Sequence, residues 1–207
     1  MKLLLVAATS FEVKDFISYC NSPEVEREHQ VDLLVTGVGM VATAFSMGRA
    51  LASRDFDLAI NAGIAGSFNR DLKIGETVVV KEDRFAELGA ENNDDFLSID
   101  ELGFGTSSYK SSFSHSFLNS LSGVSGITVN KVHGRQSSIE STIKLLKPDI
   151  ESMEGAAFFY ACKEVNLPAL QLRSISNYVE PRNKDSWQIP LAVTNLNATL
   201  NGFIRQL

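Results

Sequence analysis

The chain has 207 residues, 44% apolar and 21% charged, a size and composition suited to one α/β domain with a sizeable core. Its formal net charge of −6 argues against a general nucleic-acid or anionic-membrane binder, but leaves room for a small anionic ligand in a local pocket. No apolar run approaches the roughly 20 residues needed to span a bilayer, so neither a membrane nor nucleic acid is expected as a partner.

Residues 2–8, KLLLVAA, form a continuous apolar run that predicts a strand buried on both faces. The run is too short for a secretory signal and gives way to Ser10, Phe11 and Glu12, with a helix from about Phe11. A second strand is expected over 31–37, VDLLVTG, followed by the small-residue helix MVATAFSMGRALA. A third strand, 56–63, ends in a Gly-rich turn, and a fourth, GETVVVK at 75–81, follows without an intervening helix. Residues 91–125 are rich in Ser, Gly and acid with scattered phenylalanines. They read as an irregular insertion holding one short helix at 113–121. Regularity returns with the strand GITVNKVHG and the helix SSIESTIKLLK, stopped by Pro148. Then come DIESMEG, a helix at 155–165, the strand ALQLRSIS and a last helix near 189–205, with Pro190 in its first turn. The alternation predicts a single domain over 1–207: a mixed, mainly parallel sheet with helices on both faces. Cys20 and Cys162 have no metal-ligand spacing and read as reduced, buried thiols of a cytoplasmic protein; no metal and no cofactor are expected.

Ligands of open α/β sheets bind beyond the carboxyl ends of the strands. Four such ends are unusual together: ATSFE, TGVGM, NAGIAG and SISNYVE. Gly37, Gly39 and Ala42 mimic a dinucleotide fingerprint, yet Asp57, at the right distance for the ribose acid, begins its strand instead of ending it; glycines for a tight turn are the better reading. In NAGIAGS, small residues would let a flat ligand lie close to backbone amides. Thr9-x-x-Glu12 fits a capping box, and the same carboxylate, just past the first strand, is placed to take a proton from water. In ESMEGAAFF, Glu151 and Glu154 flank Met153. A carboxylate here can accept two hydrogen bonds from vicinal ribose hydroxyls with Met153 beneath the sugar, although core packing for Met153 and a solvated helix start for either Glu are the plainer alternatives.

In this order AATSFEV, TGVGMVATA, INAGIAGSF, IGETVVV, ESMEGAA and LRSISNYVE resemble the nucleoside phosphorylase/nucleosidase superfamily of the phosphorylase-I type. Within it the chain resembles methylthioadenosine/S-adenosylhomocysteine nucleosidases and, more specifically, futalosine hydrolases. The match covers most of the chain and is poor over 91–125. The resemblance implies a three-layer αβα fold, a homodimer, and a purine nucleoside as the small-molecule partner. It also implies that Glu12 activates water, Arg173 helps to position it, Glu154 holds the ribose, Met153 lines the sugar, and Ile64, Ala65 and Gly66 lie against the substrate. The base-reading position falls on Asn177, where adenine-specific enzymes usually carry Asp; Ile64 stands where they often have Ser.

Cleaving an N-glycosidic bond leaves negative charge on the purine and positive charge on the sugar. Hypoxanthine presents acceptors at O6 and N7, which an ionised Asp would repel. The amide of Asn177 offers a donor to O6 and an acceptor to N7–H as it forms. Phosphate as the attacker would need cations at the first strand end, where Glu12 sits and no Arg does. Like charges about 4 Å apart repel by roughly 4 kcal/mol at an effective dielectric of 20, so water is expected. The expectation is a futalosine hydrolase; its rivals are an adenine-releasing nucleosidase, a phosphorylase and a non-catalytic nucleoside sensor. Arg135, Arg182 and Lys184 are candidate partners for the benzoate of futalosine, and His133 reads as a loop residue.

Overall fold

The N-terminal apolar run forms β1 (Lys2–Ala7), and its side chains split cleanly between two faces. Leu3, Leu5 and Ala7 pack in one buried cluster and Leu4 and Val6 in another, the period-two alternation of a strand covered on both sides. The computed structural model describes residues 1–22, 28–93 and 95–207. The first cluster lies under α1 (Ser10–Cys20) and α5 (Ile189–Ile204), which contribute Val13, Phe16, Leu196, Leu200 and Phe203. The second lies under α2 (Met40–Leu51) and α4 (Gly155–Glu164), which contribute Met47, Phe158, Phe159 and Cys162. Burying each phenylalanine contributes roughly 2 kcal/mol, so the two helix layers are held by comparable sets.

β1 pairs in parallel with β2 (Gln30–Val35) on one side and β3 (Leu58–Ser67) on the other. β3 in turn pairs in parallel with β10 (Ala169–Tyr178) and antiparallel with the three-residue β9 (Ile150–Ser152). β10 pairs antiparallel with β4 (Thr77–Phe85), which runs parallel to β8 (Gly123–Thr128), itself parallel to β9. Strands β3, β10, β4, β8 and β9 therefore close into a ring, with β1 and β2 extending from it. The fold is the expected three-layer α/β arrangement with a mixed, mainly parallel sheet. The helix α3 (Gln136–Leu146) ends at Lys147, whose left-handed backbone (φ 46°) precedes Pro148.

Several boundaries differ from the expectation. NAGIAGS is the second half of β3, so its glycines sit in a strand and make no turn. The strand expected over 126–134 spans 123–128, and the chain leaves the sheet before Val132 and His133. The stretch 91–125 carries more regular structure than its composition implies. A hairpin of β5 (Gly89–Asn92) and β6 (Asp95–Ser98) precedes β7 (Ser108–Lys110), which pairs with β4. The short helix there is a 3₁₀ turn at Ser116–Ser120; residue 94 lies outside the described residues. Short strands with Ser and Gly at their ends escape pattern reading because three or four residues show no period.

Candidate active site

Glu12 is the third residue of α1, and Thr9 is its N-cap. The Thr9 main-chain N–H and hydroxyl both donate to Glu12 Oε2, at 3.0 and 3.1 Å. The other oxygen, Oε1, accepts from the main-chain N–H of Ile64 on β3 at 3.2 Å. The capping bonds use one oxygen, and β3 holds the other. Glu12 is buried, and desolvation pushes its carboxyl above the usual carboxylate range; the Arg173 guanidinium and the bonds from Ile64 and Thr9 pull it part of the way back.

Arg173 is only 1% exposed. Its Nη2 donates to Asn61 Oδ1 and lies 3.8 Å from Glu154 Oε2; its Nη1 is 3.4 Å from the Leu172 carbonyl. Asn61 is anchored in turn by donating to the Val6 carbonyl at 3.1 Å. Gly63 explains how Arg173 and Glu12 come together. A Cβ at Gly63 would stand 2.9 Å from Glu12 Oε1 and 3.1 Å from Arg173 Nη1. Only a glycine leaves both side chains where they are, because they fill the space that a Cβ would take.

Glu154 is the N-cap of α4 and is buried. Its Oε1 accepts from the main-chain N–H of Gly39 at 3.0 Å, and its Oε2 from that of Met153 at 3.3 Å. The Gly37–Ala42 turn, with φ of 85° at Gly37 and 99° at Gly39, thus presents an amide to Glu154. Met153 is half-buried on the turn between β9 and α4. Ile64 supplies the amide that holds Glu12, Ala65 belongs to the core cluster beneath α2 and α4, and Gly66 lies further along β3.

Asn177 is half-buried near the end of β10, just after a register shift between Ile175 and Asn177 that brings it level with Gly66. Its Nδ2 donates to the Tyr178 carbonyl at 3.0 Å, and its Oδ1 accepts from the Ser176 hydroxyl at 2.8 Å. Each amide atom keeps a further hydrogen-bonding position. Gly63 on β3 thus faces Glu12 and Arg173, with Glu154 3.8 Å from Arg173, and three residues further along β3 Gly66 faces Asn177. A buried carboxylate with raised proton affinity, one guanidinium and a second carboxylate can deprotonate a water and stabilise a cationic sugar.

A sequence profile of the phosphorylase superfamily matches residues 2–205. The chain belongs to that superfamily. It is 32% identical to a futalosine hydrolase of Streptomyces coelicolor over 80% of this chain and 74% of that one. It is 31% identical to a futalosine hydrolase of Acidothermus cellulolyticus, over 84% and 75%. Among solved structures, the native futalosine hydrolase of Helicobacter pylori superposes with a TM-score of 0.87 at 17% identity, covering 100% of this chain and 98% of that one. A methylthioadenosine/S-adenosylhomocysteine nucleosidase of the same organism, with butyl-thio-DADMe-Immucillin-A, gives 0.86 at 17% identity and covers 100% and 99%. These two likenesses establish the fold that this superfamily member shares.

Sequence reasoning missed the parts played by Asn61, Gly63 and the amide of Gly39; it weighed Glu151 with Glu154 as a ribose-binding carboxylate or a solvated helix start, and read His133 as a loop residue. Asn61 and Gly63 alternate with Ile60 and Ala62 in β3, so two residues facing Arg173 on an apolar strand were the available signal. Arg135, Arg182 and Lys184 are exposed; Arg135 is the N-cap of α3, Arg182 stacks on Trp187, and Lys184 begins a 3₁₀ turn.

Proposed function

We propose that this protein hydrolyses the N-glycosidic bond of futalosine, releasing hypoxanthine and dehypoxanthine futalosine. The observation that carries the reading is the buried Glu12, held at both oxygens and set beside Arg173 across the bare Gly63. In this scheme Glu12 takes a proton from water as the water attacks the anomeric carbon, a general-base contribution of about 10²- to 10⁴-fold. Arg173, fixed by Asn61, orients that water. Glu154 accepts from the ribose hydroxyls with the lone pairs that Gly39 and Met153 leave open, and Met153 lies under the sugar. Ile64, Ala65 and Gly66 form the strand wall along which the nucleoside lies. Asn177 donates to O6 of the departing purine and, once N7 has taken a proton from a solvent water, accepts from N7–H, a bond that forms only as the glycosidic bond breaks. Water is favoured over phosphate because Arg173 is flanked by two carboxylates, so a phosphate dianion there would meet more negative charge than positive.

The relatives named futalosine hydrolase support the choice of substrate. We place the reaction in the cytoplasm, as a step of menaquinone biosynthesis. A homodimer is the expected assembly. Val38, Val41 and Phe45 are exposed at the start and along the outer side of α2, next to a groove of about 520 Å³ lined by Met40, Phe85, Phe104, Tyr109 and Tyr160. Such a patch on a monomer marks a contact surface, and light scattering at twice the monomer mass would support it. The decisive measurement is kcat/KM of the purified enzyme on futalosine and on methylthioadenosine. A clear preference for futalosine is expected, and a preference for the adenine nucleoside would overturn the assignment.

A further inference from the structure

Glu151 and His133 form a buried pair that the scheme above leaves unused. Glu151 is 3% exposed, and the side chain of His133 is 12% exposed. His133 donates its main-chain N–H to Glu151 Oε1 at 3.0 Å and turns Nδ1 to Oε2 at 2.5 Å, while its Nε2 lies 2.9 Å from the Thr142 hydroxyl. Both ring nitrogens are engaged, so the ring is locked and the carboxylate with it.

The register places this pair at the base end of the site. Gly66 on β3 is level with Asn177 on β10 and with Glu151 on β9. A Cβ on Gly66 would stand 3.3 Å from Asn177 Nδ2 and 3.6 Å from Glu151 Cγ, so both side chains close over the same face of that glycine. Asn177 Nδ2 and Glu151 Cγ therefore lie no more than about 7 Å apart, close enough for one purine edge to meet the amide and the carboxylate at neighbouring positions.

The chemistry of the purine edge says what a carboxylate would do there. A carboxamide carries a donor and an acceptor. It satisfies O6 and N7–H of hypoxanthine in one orientation and the 6-amino group and N7 of adenine in the other, so turning over limits its discrimination. A carboxylate only accepts. At N1 it meets an N–H in a 6-oxopurine and a lone pair in a 6-aminopurine.

We infer that Glu151, held in place by His133, is a second base-reading residue that accepts from N1–H and sets the preference for 6-oxopurine nucleosides over 6-amino ones. The inference rests on the reading of Asn177 as the first base-reading residue. Asn177 then reads the O6/N7 side and Glu151 the O6/N1 side of one ring. His133 is a positioning residue, acting through the carboxylate.

The test is a ratio. Wild-type kcat/KM is measured on futalosine and on aminofutalosine, which differ only at the six-position and N1, and again for Glu151→Gln. The variant is nearly isosteric and its amide can face either base. The futalosine-to-aminofutalosine ratio should fall by at least about 10-fold, mostly through KM, because an amide cannot reject the N1 lone pair. His133→Gln should move the ratio in the same direction by less. Equal losses on both substrates would overturn the inference and make the pair a purely structural lock. A wild-type enzyme that prefers aminofutalosine would overturn the assigned substrate instead, so the two failures are told apart. If Glu151→Gln does not fold, calorimetry on the unaltered enzyme compares hypoxanthine with 1-methylhypoxanthine, which lacks the N1 proton: at least about 10-fold weaker binding supports the inference, and equal binding overturns it.

Discussion

The two ends of the candidate site, the proposed sugar end and base end, draw on the same strands but on different physics. At the sugar end, Gly63 makes room for Glu12 and Arg173 to crowd together, with Glu154 completing a set of two acids and one base, all buried. At the base end, Gly66 makes room for a neutral amide and a carboxylate already paired with a histidine. On the proposed reading, the first arrangement concentrates charge where a cation would develop, and the second offers hydrogen bonds that would tell a flat ring from its analogues. Substitutions at the sugar end should therefore cost rate on every substrate, and substitutions at the base end should change which substrate is preferred.

The largest effect is expected at Glu12. Glu12→Gln removes the proton acceptor but keeps an oxygen for the Ile64 or Thr9 amide, so the fold should persist while kcat falls about 10²- to 10⁴-fold. Thermal melting alongside steady-state turnover checks both halves. Because burial raises the Glu12 carboxyl, the wild-type rate should fall on the acid side at a pH above that of an ordinary glutamate. Restored activity at high enzyme concentration with no change in the pH profile would mean that another base acts.

Asn177→Asp comes next, and it should separate the ends. A carboxyl oxygen would replace Nδ2, which now donates to the Tyr178 carbonyl, so an ionised Asp would face that carbonyl as well as purine O6. Activity on futalosine should drop at least about 10²-fold more than activity on aminofutalosine. Equal losses would make Asn177 a strand-end residue and nothing more.

The sequence pointed to residues at both ends of this contrast, Glu12, Glu154 and Arg173 at one and Asn177 at the other, but not to the glycine gaps or to the Glu151–His133 pair beside them. Glu12 and Glu154 stand out as carboxylates just past strand ends, beside plainer readings as a helix cap and a solvated helix start, and Arg173 through the family resemblance. Gly63 did not, because its role depends on two side chains 51 positions before it and 110 after it meeting at one point. Glu151 looked like a solvated helix start, because the three-residue β9 that buries it is too short to show a period. His133 looked like a loop residue, and its backbone does lie in a loop; only the closed ring of strands brings it onto Glu151. Long apolar runs such as β1 announce themselves through local pattern, whereas contacts made by ring closure do not.

Gly63→Ala should have a smaller effect than either of the first two. The added methyl would meet Glu12 Oε1 at 2.9 Å, the tip of a flexible side chain, so the neighbours can yield without unfolding. Displacing the carboxylate by a few tenths of an ångström to an ångström should lower kcat by about 10- to 100-fold on futalosine and aminofutalosine alike. A changed substrate ratio would show that the two ends are coupled through β3.

The smallest effect on catalysis, and the clearest on stability, is expected outside both ends. Asp83 on β4 is fully buried, accepting from the Thr128 hydroxyl and from Gln171 Nε2 at 2.8 Å each. Desolvation pushes its carboxyl up to about 6 from an ordinary 3.8, although Gln171, Thr128 and the Arg173 charge oppose the shift. A raised folded-state value means that folding favours the protonated acid. This contribution is complete below the unfolded value near 3.8 and is lost as pH rises through about 6, amounting to roughly 3 kcal/mol. Asp83→Asn has no such titration, so the wild-type melting temperature, measured against that of the variant, should fall between pH 4 and 6 and level off above. Thr128 also accepts from the Ala156 N–H at the start of α4, so the same network steadies the turn that carries Glu154. Parallel melting curves across that pH range would mean that Asp83 keeps its charge on burial, and the sugar end would then stand against three buried carboxylates with one guanidinium to balance them.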